Sequence, residues 1–275
     1  MAPKTTRAKK KSWMTPSPPR GARERAPLTV ERLRGLYSAA TELDHQNPFQ
    51  LLIATILSAQ TTDKSVNLIT PELFRRYPTP DYLAAADPAE VQKLIKPTGF
   101  FRAKTARIIA ASRKLVELFG GVVPQDMDDL LKIPGIGRKT ANVILGAGFG
   151  VPGFAVDTHV NRLTNRIGLV RTKDPVKIEF QVDSMVPPEE WTGLSLRLIL
   201  HGRRICDARR PLCPECVLND FCPSSLTRPD RRLRKGRPIP EAPGSDIKLA
   251  RPAARTRPLA GPPSSRRVPT PSPPA

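Results

Sequence analysis

The stretch LLKIPGIGRKTANVIL, residues 130–145, places a Pro-Gly-Ile-Gly turn between two runs of apolar residues at helical spacing. We expect one short helix over residues 126–133 and a second over residues 138–149. Gly135 and Gly137 allow backbone conformations in the turn that other residues avoid. The stretch therefore predicts a hairpin of two helices joined by a tight turn.

The turn of this hairpin has the features of an anion site. Backbone N–H groups at the start of the second helix point outward, and the small glycines let a phosphate approach the main chain. Arg138 adds a positive charge. This is the helix–hairpin–helix pattern, which binds the DNA backbone without regard to sequence, and it makes Gly135, Gly137 and Arg138 candidate DNA contacts. The alternative is an ordinary turn between two helices, which the RKTAN that follows disfavours.

The rest of the central region also follows helical periodicity. Apolar residues recur at intervals of three and four, and strand-like alternation is nearly absent, so the predicted fold class is all-α. The first helix is predicted to start at Thr29, with Glu31 close behind it. The other helical runs are PFQLLIATILSAQ, SVNLITPELFRRY, PAEVQKLIKPTG, RAKTARIIAASRKLVELFG and MDDLLKI.

The charge of the chain is concentrated at its ends. The 275 residues include 45 Lys and Arg against 25 Asp and Glu, and the resulting +20 favours a polyanionic partner such as nucleic acid. Residues 1–27 carry +7 and residues 224–275 carry +9, which leaves +4 for residues 28–223. Both ends are rich in proline and poor in periodic apolar residues, which predicts disordered basic arms. They are either solvated linkers or non-specific binders of nucleic acid.

Membrane and exported proteins are excluded by the apolar pattern. The run Leu51–Leu57 is far shorter than the ~20 residues that cross a bilayer. No apolar stretch follows the basic N-terminus, as a secretory signal requires. We therefore expect a cytoplasmic protein without an export signal.

Lys139 occupies a special position in the hairpin. It falls in the first turn of the second helix, where the positive end of the helix dipole and the neighbouring Arg138 both disfavour an ammonium. This is the condition for an amine nucleophile that attacks a carbon centre. The local sequence by itself favours a simpler role, in which Lys139 contacts a phosphate.

Asp157 follows the apolar run FAV, residues 154–156, and precedes a new helix. An aspartate there is expected to be an N-cap that accepts hydrogen bonds from the amides of the next turn. A capping environment also keeps the carboxylate ionised, so that it can stabilise an oxocarbenium charge developing at a sugar carbon. Asp157 lies 18 residues after Lys139, enough chain for the two to face each other across a cleft.

Four cysteines form the pattern Cys206-x6-Cys213-x2-Cys216-x5-Cys222. Without an export signal we expect a reducing compartment, which favours metal binding over disulfide bonds. Zinc ribbons usually pair two C-x2-C hooks, and only one is present here. Four unequally spaced thiolates without a histidine suit a [4Fe–4S] cluster better.

Taken together, these motifs resemble the endonuclease III family, helix–hairpin–helix DNA glycosylases with an iron–sulfur cluster. The resemblance covers residues 28–223, and it is specific because the hairpin lysine, the later aspartate and the cysteine spacing occur together. The stretches that carry it, besides the cysteines, are LLIATILSAQTTDKSVN (51–67), IPGIGRKTANVIL (133–145), AVDTHVNRL (155–163) and LILHGRRIC (198–206).

The resemblance implies two domains with the active site in the cleft between them. Residues 41–151 would form a six-helix barrel that contains the hairpin. Residues 28–40 and 152–223 would form the domain that holds the cluster. The implied protein acts as a monomer, on the nucleoid of a bacterial-type cell.

By the same resemblance the protein is a bifunctional DNA glycosylase and AP lyase of base excision repair. Lys139 would attack C1′ of a damaged nucleotide, release the base and form a Schiff base, and β-elimination would cut the strand on the 3′ side. Asp157 would activate the lysine or stabilise charge at the sugar. The nucleotide must flip out, because C1′ of a stacked base is out of reach. The implied substrate is double-stranded DNA with oxidised pyrimidines or abasic sites.

The resemblance also implies DNA contacts for two more residues, Gln60 and Phe100. Gln60, in LSAQTTD, matches the residue that enters the gap left by the flipped base; without the family it is an exposed polar residue at a helix end. Phe100, in PTGFFRAK, stands where relatives often carry a leucine wedge, so it is either an aromatic wedge or a core residue. His159 and His201 are expected to be structural.

Two other functions are weighed against this one. An adenine glycosylase of the same superfamily has the same cluster spacing, but it typically lacks the lysine and carries a large C-terminal domain. A non-catalytic DNA-binding module would need neither Lys139 nor Asp157. The presence of both residues favours the bifunctional enzyme.

Overall fold

Helices account for all the regular secondary structure of residues 17–227, the part of the chain that this computed structural model describes. Within that range the predicted all-α class is confirmed. Most of both predicted arms, residues 1–16 and 228–275, lies outside the described residues. The helices are α1 (Ala22–Arg34), α2 (Pro48–Leu57), α3 (Asp63–Arg76), α4 (Pro80–Ala84), α5 (Pro88–Ile95), α6 (Phe101–Phe119), α7 (Met127–Leu130), α8 (Arg138–Val143), α9 (Thr158–Arg166), α10 (Pro175–Asp183) and α11 (Pro188–Arg204).

Two clusters of buried apolar side chains organise these helices. The central core takes its residues from between Leu43 and Leu145, in α2 to α8 and their continuation. The terminal core joins residues 26–37 to residues 154–218. Both lie in one compact unit of the chain. The division into a 41–151 domain and a 28–40 plus 152–223 domain stays a prediction, with which the two cores are compatible.

The count of six helices for the predicted barrel is not confirmed. Residues 41–151 contain seven α-helices, α2 to α8, of which α4 and α7 have only five and four residues. A π-helical segment, Ile144–Gly148, continues α8 to the end of this region. The helix predicted over residues 138–149 is therefore present, with a change of helical type at Ile144.

Polar N-caps explain where many of the helices start. In each case a side-chain oxygen accepts a hydrogen bond from a backbone N–H of the first turn, which satisfies a group that has no partner within the helix. In three of these helices a proline follows the cap at the first helical position, where its missing N–H has no consequence. The capping residues are Asn47, Thr62, Asp87, Asp126, Asp157 and Asp174.

The first helix begins earlier than predicted. Thr29 is buried inside α1 and is not its cap, because the helix starts at Ala22 and runs through Pro27. Residues 22–27 were expected to belong to a disordered arm, and that prediction is wrong. Arg25 donates to the Gly168 carbonyl at 2.7 Å, and Ala22 and Ala26 are fully buried. Tertiary contacts thus stabilise a helical turn whose proline disfavours it locally.

No helix within residues 17–227 combines the length and the apolar character that a membrane span requires. The longest helix, α6, has 19 residues and packs against α2, α4 and α5. The next longest, α11, packs against α1 and α9. Each is thus the central element of one core.

Candidate active site and iron–sulfur loop

The predicted hairpin is present, and two isoleucines anchor it. Ile133 and Ile136 are buried in the central core, and the Ile136 N–H donates to the Ile133 carbonyl at 3.1 Å. Pro134, Gly135 and Gly137, which alternate with them, are exposed. The turn is therefore held from its inner side and presents its glycines to solvent.

The two glycines of the turn play different roles. Gly135 has a φ of 85°, a left-handed conformation that disfavours other residues. Gly137 has a φ of −96° and a ψ of 172°, so the conformational reason predicted for it is wrong. A Cβ at Gly137 would meet no atom within 4 Å, and no side chain caps α8 there. Gly137 leaves open space in front of the first amides of α8, which is what the approach of a phosphate requires.

Arg138, the first residue of α8, is paired within the protein. Its Nε and Nη2 donate to Glu179 of α10 at 2.6 and 2.8 Å, and the guanidinium carbon lies 5.3 Å from the centre of the Phe180 ring. The Glu179 carboxylate is only 3% exposed. Contact between Arg138 and DNA stays a prediction, and in this structure the guanidinium joins α8 to α10.

Lys139 is exposed at the second position of α8, beside the open space in front of Gly137. Within residues 17–227, no ion pair within 4.0 Å joins Lys139 to Asp157. The structure therefore presents the amine to solvent next to the glycine turn.

The segment before Asp157 is clamped between α8 and α11. Asn142 of α8 donates to the Phe154 carbonyl at 3.3 Å, and Ser195 of α11 donates to the Ala155 carbonyl at 2.6 Å. A Cβ at Gly153 would lie 2.8 Å from the Asn142 side chain, so only glycine fits against α8 there. The chain between the two predicted catalytic residues thus returns to the helix that carries Lys139.

Asp157 is the N-cap of α9, as its sequence context predicts. Its Oδ1 accepts from the Val160 N–H at 2.8 Å, and the side chain is half-buried. This capping bond orients the carboxylate at the end of the clamped segment.

Arginines of α9 hold the loop that carries the cysteines. Arg162 donates to the carbonyls of Gly202 and Cys206 at 3.0 Å. Arg166 donates to the Asp207 carbonyl at 2.6 Å and lies 3.4 Å from the Cys206 sulfur. The same helix therefore begins at Asp157 and ends against the cysteine loop.

All four cysteines line one cavity of about 210 Å³. They are free thiols, and all are half-buried. Burial, reinforced by the three neighbouring cysteines, raises the pKa of the Cys216 thiol to about 12. Cys216 is therefore a thiolate at neutral pH only with a cationic group beside it. The donor set and the cavity fit an iron–sulfur cluster, which needs more room than a single zinc ion. The cysteines in question are Cys206, Cys213, Cys216 and Cys222.

His201 connects the cysteine loop to α1 and is structural, as expected. Its Nδ1 lies 3.1 Å from the Tyr37 hydroxyl and its Nε2 lies 3.3 Å from the Cys216 sulfur. Burial lowers the pKa of the imidazole to about 4, so the ring is neutral at physiological pH. His159 contacts the Arg162 guanidinium at 3.0 Å, within the packing of α9 on α11.

Gln60 and Phe100 are both exposed, and their backbones are unusual. Phe100 is 68% exposed, so the alternative of a core residue is wrong. Gln60 borders an open surface cavity of about 850 Å³. Within the described residues these are the two non-glycine residues with positive φ, 56° for Gln60 and 45° for Phe100. Such conformations are strained for large side chains and concentrate at functional sites.

Comparison with known proteins identifies the family. The model of the HhH-GPD superfamily base excision DNA repair proteins matches residues 53–188, and the iron–sulfur binding domain of endonuclease III matches residues 206–222. Endonuclease III of Synechocystis sp. is 50% identical over 205 residues, which are 74% of this chain and 94% of that protein. The chain belongs to the endonuclease III family. Endonuclease III of Bacillus subtilis is 44% identical over 198 residues, 72% of this chain and 90% of that protein.

Solved endonuclease III structures share the fold. A non-covalent endonuclease III–DNA complex matches with a TM-score of 0.70 and 40% identity, over 74% of this chain and 96% of that one. A trapped covalent endonuclease III–DNA intermediate matches with the same values. As a member of this family, the protein is a DNA glycosylase and AP lyase of base excision repair. It has a [4Fe–4S] cluster as its cofactor and DNA as its partner.

Several structural residues of this site could not be inferred from the sequence. Asn142 lies within the RKTAN stretch, and its amide is a visible signal, but its partner Phe154 is not apparent from spacing. Ser195 and Arg162 lie in ordinary helical runs that give no local signal. Their roles depend on segments about 40 residues away in the chain.

Proposed function

We propose that the enzyme removes oxidised pyrimidines from double-stranded DNA and cuts the strand 3′ to the resulting abasic site, with Lys139 as the nucleophile. The observation that carries this proposal is the position of Lys139. Its amine is exposed at the start of α8, next to the open glycine turn, and the segment leading to Asp157 is clamped to the same helix. The covalent intermediate of a related endonuclease III supports a nucleophile that bonds to DNA.

In the proposed reaction, the neutral amine of Lys139 attacks C1′ of the flipped nucleotide. The C1′–N bond breaks, and the base leaves with the electron pair and takes up a proton. Opening of the sugar ring gives a Schiff base between Nζ and C1′. Loss of a proton from C2′ then expels the 3′ phosphate, which is the β-elimination. Water finally hydrolyses the Schiff base and restores the lysine.

Asp157 is proposed to stabilise the positive charge that develops at the sugar. Because no ion pair links its carboxylate to Lys139 in residues 17–227, a role toward the sugar fits better than direct proton transfer. Its capping bond to Val160 orients the carboxylate. A fixed negative charge near a developing cation is worth most where water is excluded.

The remaining predicted site residues have proposed roles outside the chemical step. Gln60 enters the gap left by the flipped base and Phe100 wedges into the stack. The glycine turn binds the DNA backbone, with Arg138 beside it. Cys206, Cys213, Cys216 and Cys222 hold the cluster, whose thiolate–iron bonds cross-link the loop when it is bound. The enzyme is proposed to work as a monomer on chromosomal DNA in the cytoplasm.

Borohydride trapping tests the proposal. Full-length protein is incubated with duplexes that contain thymine glycol, an abasic site or a mispaired adenine, and the Schiff base is reduced to a stable adduct. We expect an adduct with the first two duplexes, and none with Lys139→Ala. Lys132→Ala is the matched control, since Lys132 is an exposed lysine of the same hairpin that pairs with Asp129.

Two outcomes would contradict this assignment. Equal trapping by Lys139→Ala would remove Lys139 from its role. Release of adenine from the mispaired duplex without any adduct would indicate the adenine glycosylase activity instead.

A further inference from the structure

The two strained residues lie in separate loops. Gln60 is in the loop between α2 and α3, and Phe100 is in the loop between α5 and α6. Both backbones have positive φ and both side chains are exposed. A strained conformation persists only where its surroundings hold it in place. Something in the structure must therefore hold both loops.

A buried lysine connects these loops. Lys104, in the first turn of α6, is 2% exposed, and its Nζ donates to the Thr61 hydroxyl at 2.6 Å and to the Thr98 carbonyl at 2.8 Å. The Thr61 hydroxyl in turn donates to the same Thr98 carbonyl. Thr61 directly follows Gln60, and Thr98 lies two residues before Phe100. The three groups form a closed hydrogen-bonded triangle between the two loops.

Packing alone does not explain a lysine at this position. Lysines are almost never fully buried unless they are paired, and no ion pair of Lys104 occurs in residues 17–227. Burial lowers the pKa of Lys104, and the nearby charge of Arg107 lowers it further. An apolar side chain of similar length would avoid this desolvation penalty. What it would lack is a group that donates to both loops at once.

We propose that Lys104 is a positioning residue that holds Gln60 and Phe100 as one rigid unit for insertion into DNA. The proposal rests on the proposed function, in which both side chains enter the base stack, and it adds what couples them. The triangle fixes the two loops before DNA binds. The entropy cost of ordering these loops is therefore not added to the cost of inserting the side chains into DNA. Lys104 should therefore matter for opening the duplex and not for the chemistry at C1′.

Opening of the duplex and the chemistry at C1′ can be measured separately with two substrates, of which only one is a duplex with a gap that Gln60 must fill. We would compare Lys104→Met with the wild-type holoenzyme in single-turnover cleavage of a thymine glycol duplex and of an abasic site in single-stranded DNA. We expect a loss of about 10- to 100-fold on the duplex, because misplacement by about 1 Å has effects of this size. On the single strand, which has no gap to fill, we expect a loss of less than about twofold.

Thr61→Val is a second variant that keeps the shape of the side chain and removes its hydroxyl. It should show the same selectivity, and the double variant should be no worse than Lys104→Met, because both remove one network. Lys114→Met is the matched control. Lys114 lies on the same helix and pairs with Glu117 at the surface, so both activities should be unchanged.

Hydrogen exchange gives an independent measurement of the loops. In Lys104→Met and in Thr61→Val we expect faster exchange of the amides in residues 59–62 and 98–101 together. An equal loss of activity on both substrates, or faster exchange in only one loop, would overturn the proposal. If the wild-type enzyme cleaved neither substrate, the proposed function would fail instead. That result differs from the expected one, in which single-strand cleavage is kept.

Discussion

Lys139 and Asp157 are positioned in different ways, although they are proposed to act on the same sugar. Lys139 depends on its neighbours in sequence, since it is exposed on a short helix whose preceding turn is anchored by Ile133 and Ile136. Asp157 depends on distant residues, because Asn142 and Ser195 hold the segment before it. One position is thus determined by a local turn, and the other by packing between two cores.

This difference indicates where the site is sensitive to substitution. Changes in the turn, residues 134–137, should alter the position of Lys139 through the backbone that leads directly into α8. Changes in α8 or α11 should affect Asp157 without touching it. Three pairs of matched variants test this distinction.

Asp157→Asn should have the largest effect. Asparagine is as good an N-cap as aspartate, so the free energy of unfolding should change by less than about 0.5 kcal/mol. Loss of the negative charge should lower turnover by about 10²- to 10⁴-fold, the usual range for a group that acts on charge or protons in the transition state. The measurements are single-turnover cleavage and thermal unfolding.

Asp174→Asn is the matched control for Asp157→Asn, since Asp174 also caps a helix, α10, through the amides of Val176 and Lys177. It should leave turnover unchanged. A loss of folding in Asp157→Asn, with turnover kept in the folded fraction, would show that the residue is only a cap.

Ser195→Ala should have an intermediate effect. It removes the hydrogen bond to the Ala155 carbonyl and leaves that buried oxygen without its partner, at a cost of about 1–2 kcal/mol in the free energy of unfolding. Asp157 lies two residues farther along, so turnover should fall by about tenfold through loss of its position.

Ser112→Ala is the matched control for Ser195→Ala. Ser112 is also fully buried, and its hydroxyl has no hydrogen-bond partner among the described residues. Its replacement should be neutral or stabilising. If both alanine variants reduced turnover equally, the clamp on the Asp157 segment would have no special role.

The two glycines of the turn should give the smallest effects, and they should differ in kind. Gly135→Ala forces a left-handed conformation on alanine and should destabilise the protein by about 1–2 kcal/mol. Gly137→Ala should not affect stability, because its backbone is extended and its Cβ would meet no atom. It should weaken binding to undamaged duplex by about fivefold, ~1 kcal/mol, by obstructing the phosphate.

Calorimetry and binding at a fixed salt concentration measure these two effects separately. Unchanged DNA affinity in Gly137→Ala would exclude the turn as a contact with the DNA backbone. Unchanged stability in Gly135→Ala would contradict the left-handed conformation in the structure.

Local features of the fold and site could be predicted because short-range physics determines them. The hairpin follows from one left-handed glycine, Gly135, and a helical period, and the cap at Asp157 follows from an aspartate before a helix. The helix start at Ala22 could not be predicted, because Pro27 argues against it and tertiary contacts, such as that of Arg25 with Gly168 and the burial of Ala22, outweigh the proline. The pairing of Arg138 with Glu179 could not be predicted either, since 41 residues separate the two in the chain.

The sequence by itself therefore determined the fold class, the family, the nucleophile candidate and the cysteine pattern. Each depends on residue types at fixed short spacings, where the chain has few alternatives. Only the tertiary structure decided that Arg138 is paired, that Gly137 serves as open space, and that Lys104 connects the loops of Gln60 and Phe100. The physical reason is that a buried polar group takes its partner from whatever segment packs against it, and that segment is set by the folding of the whole chain.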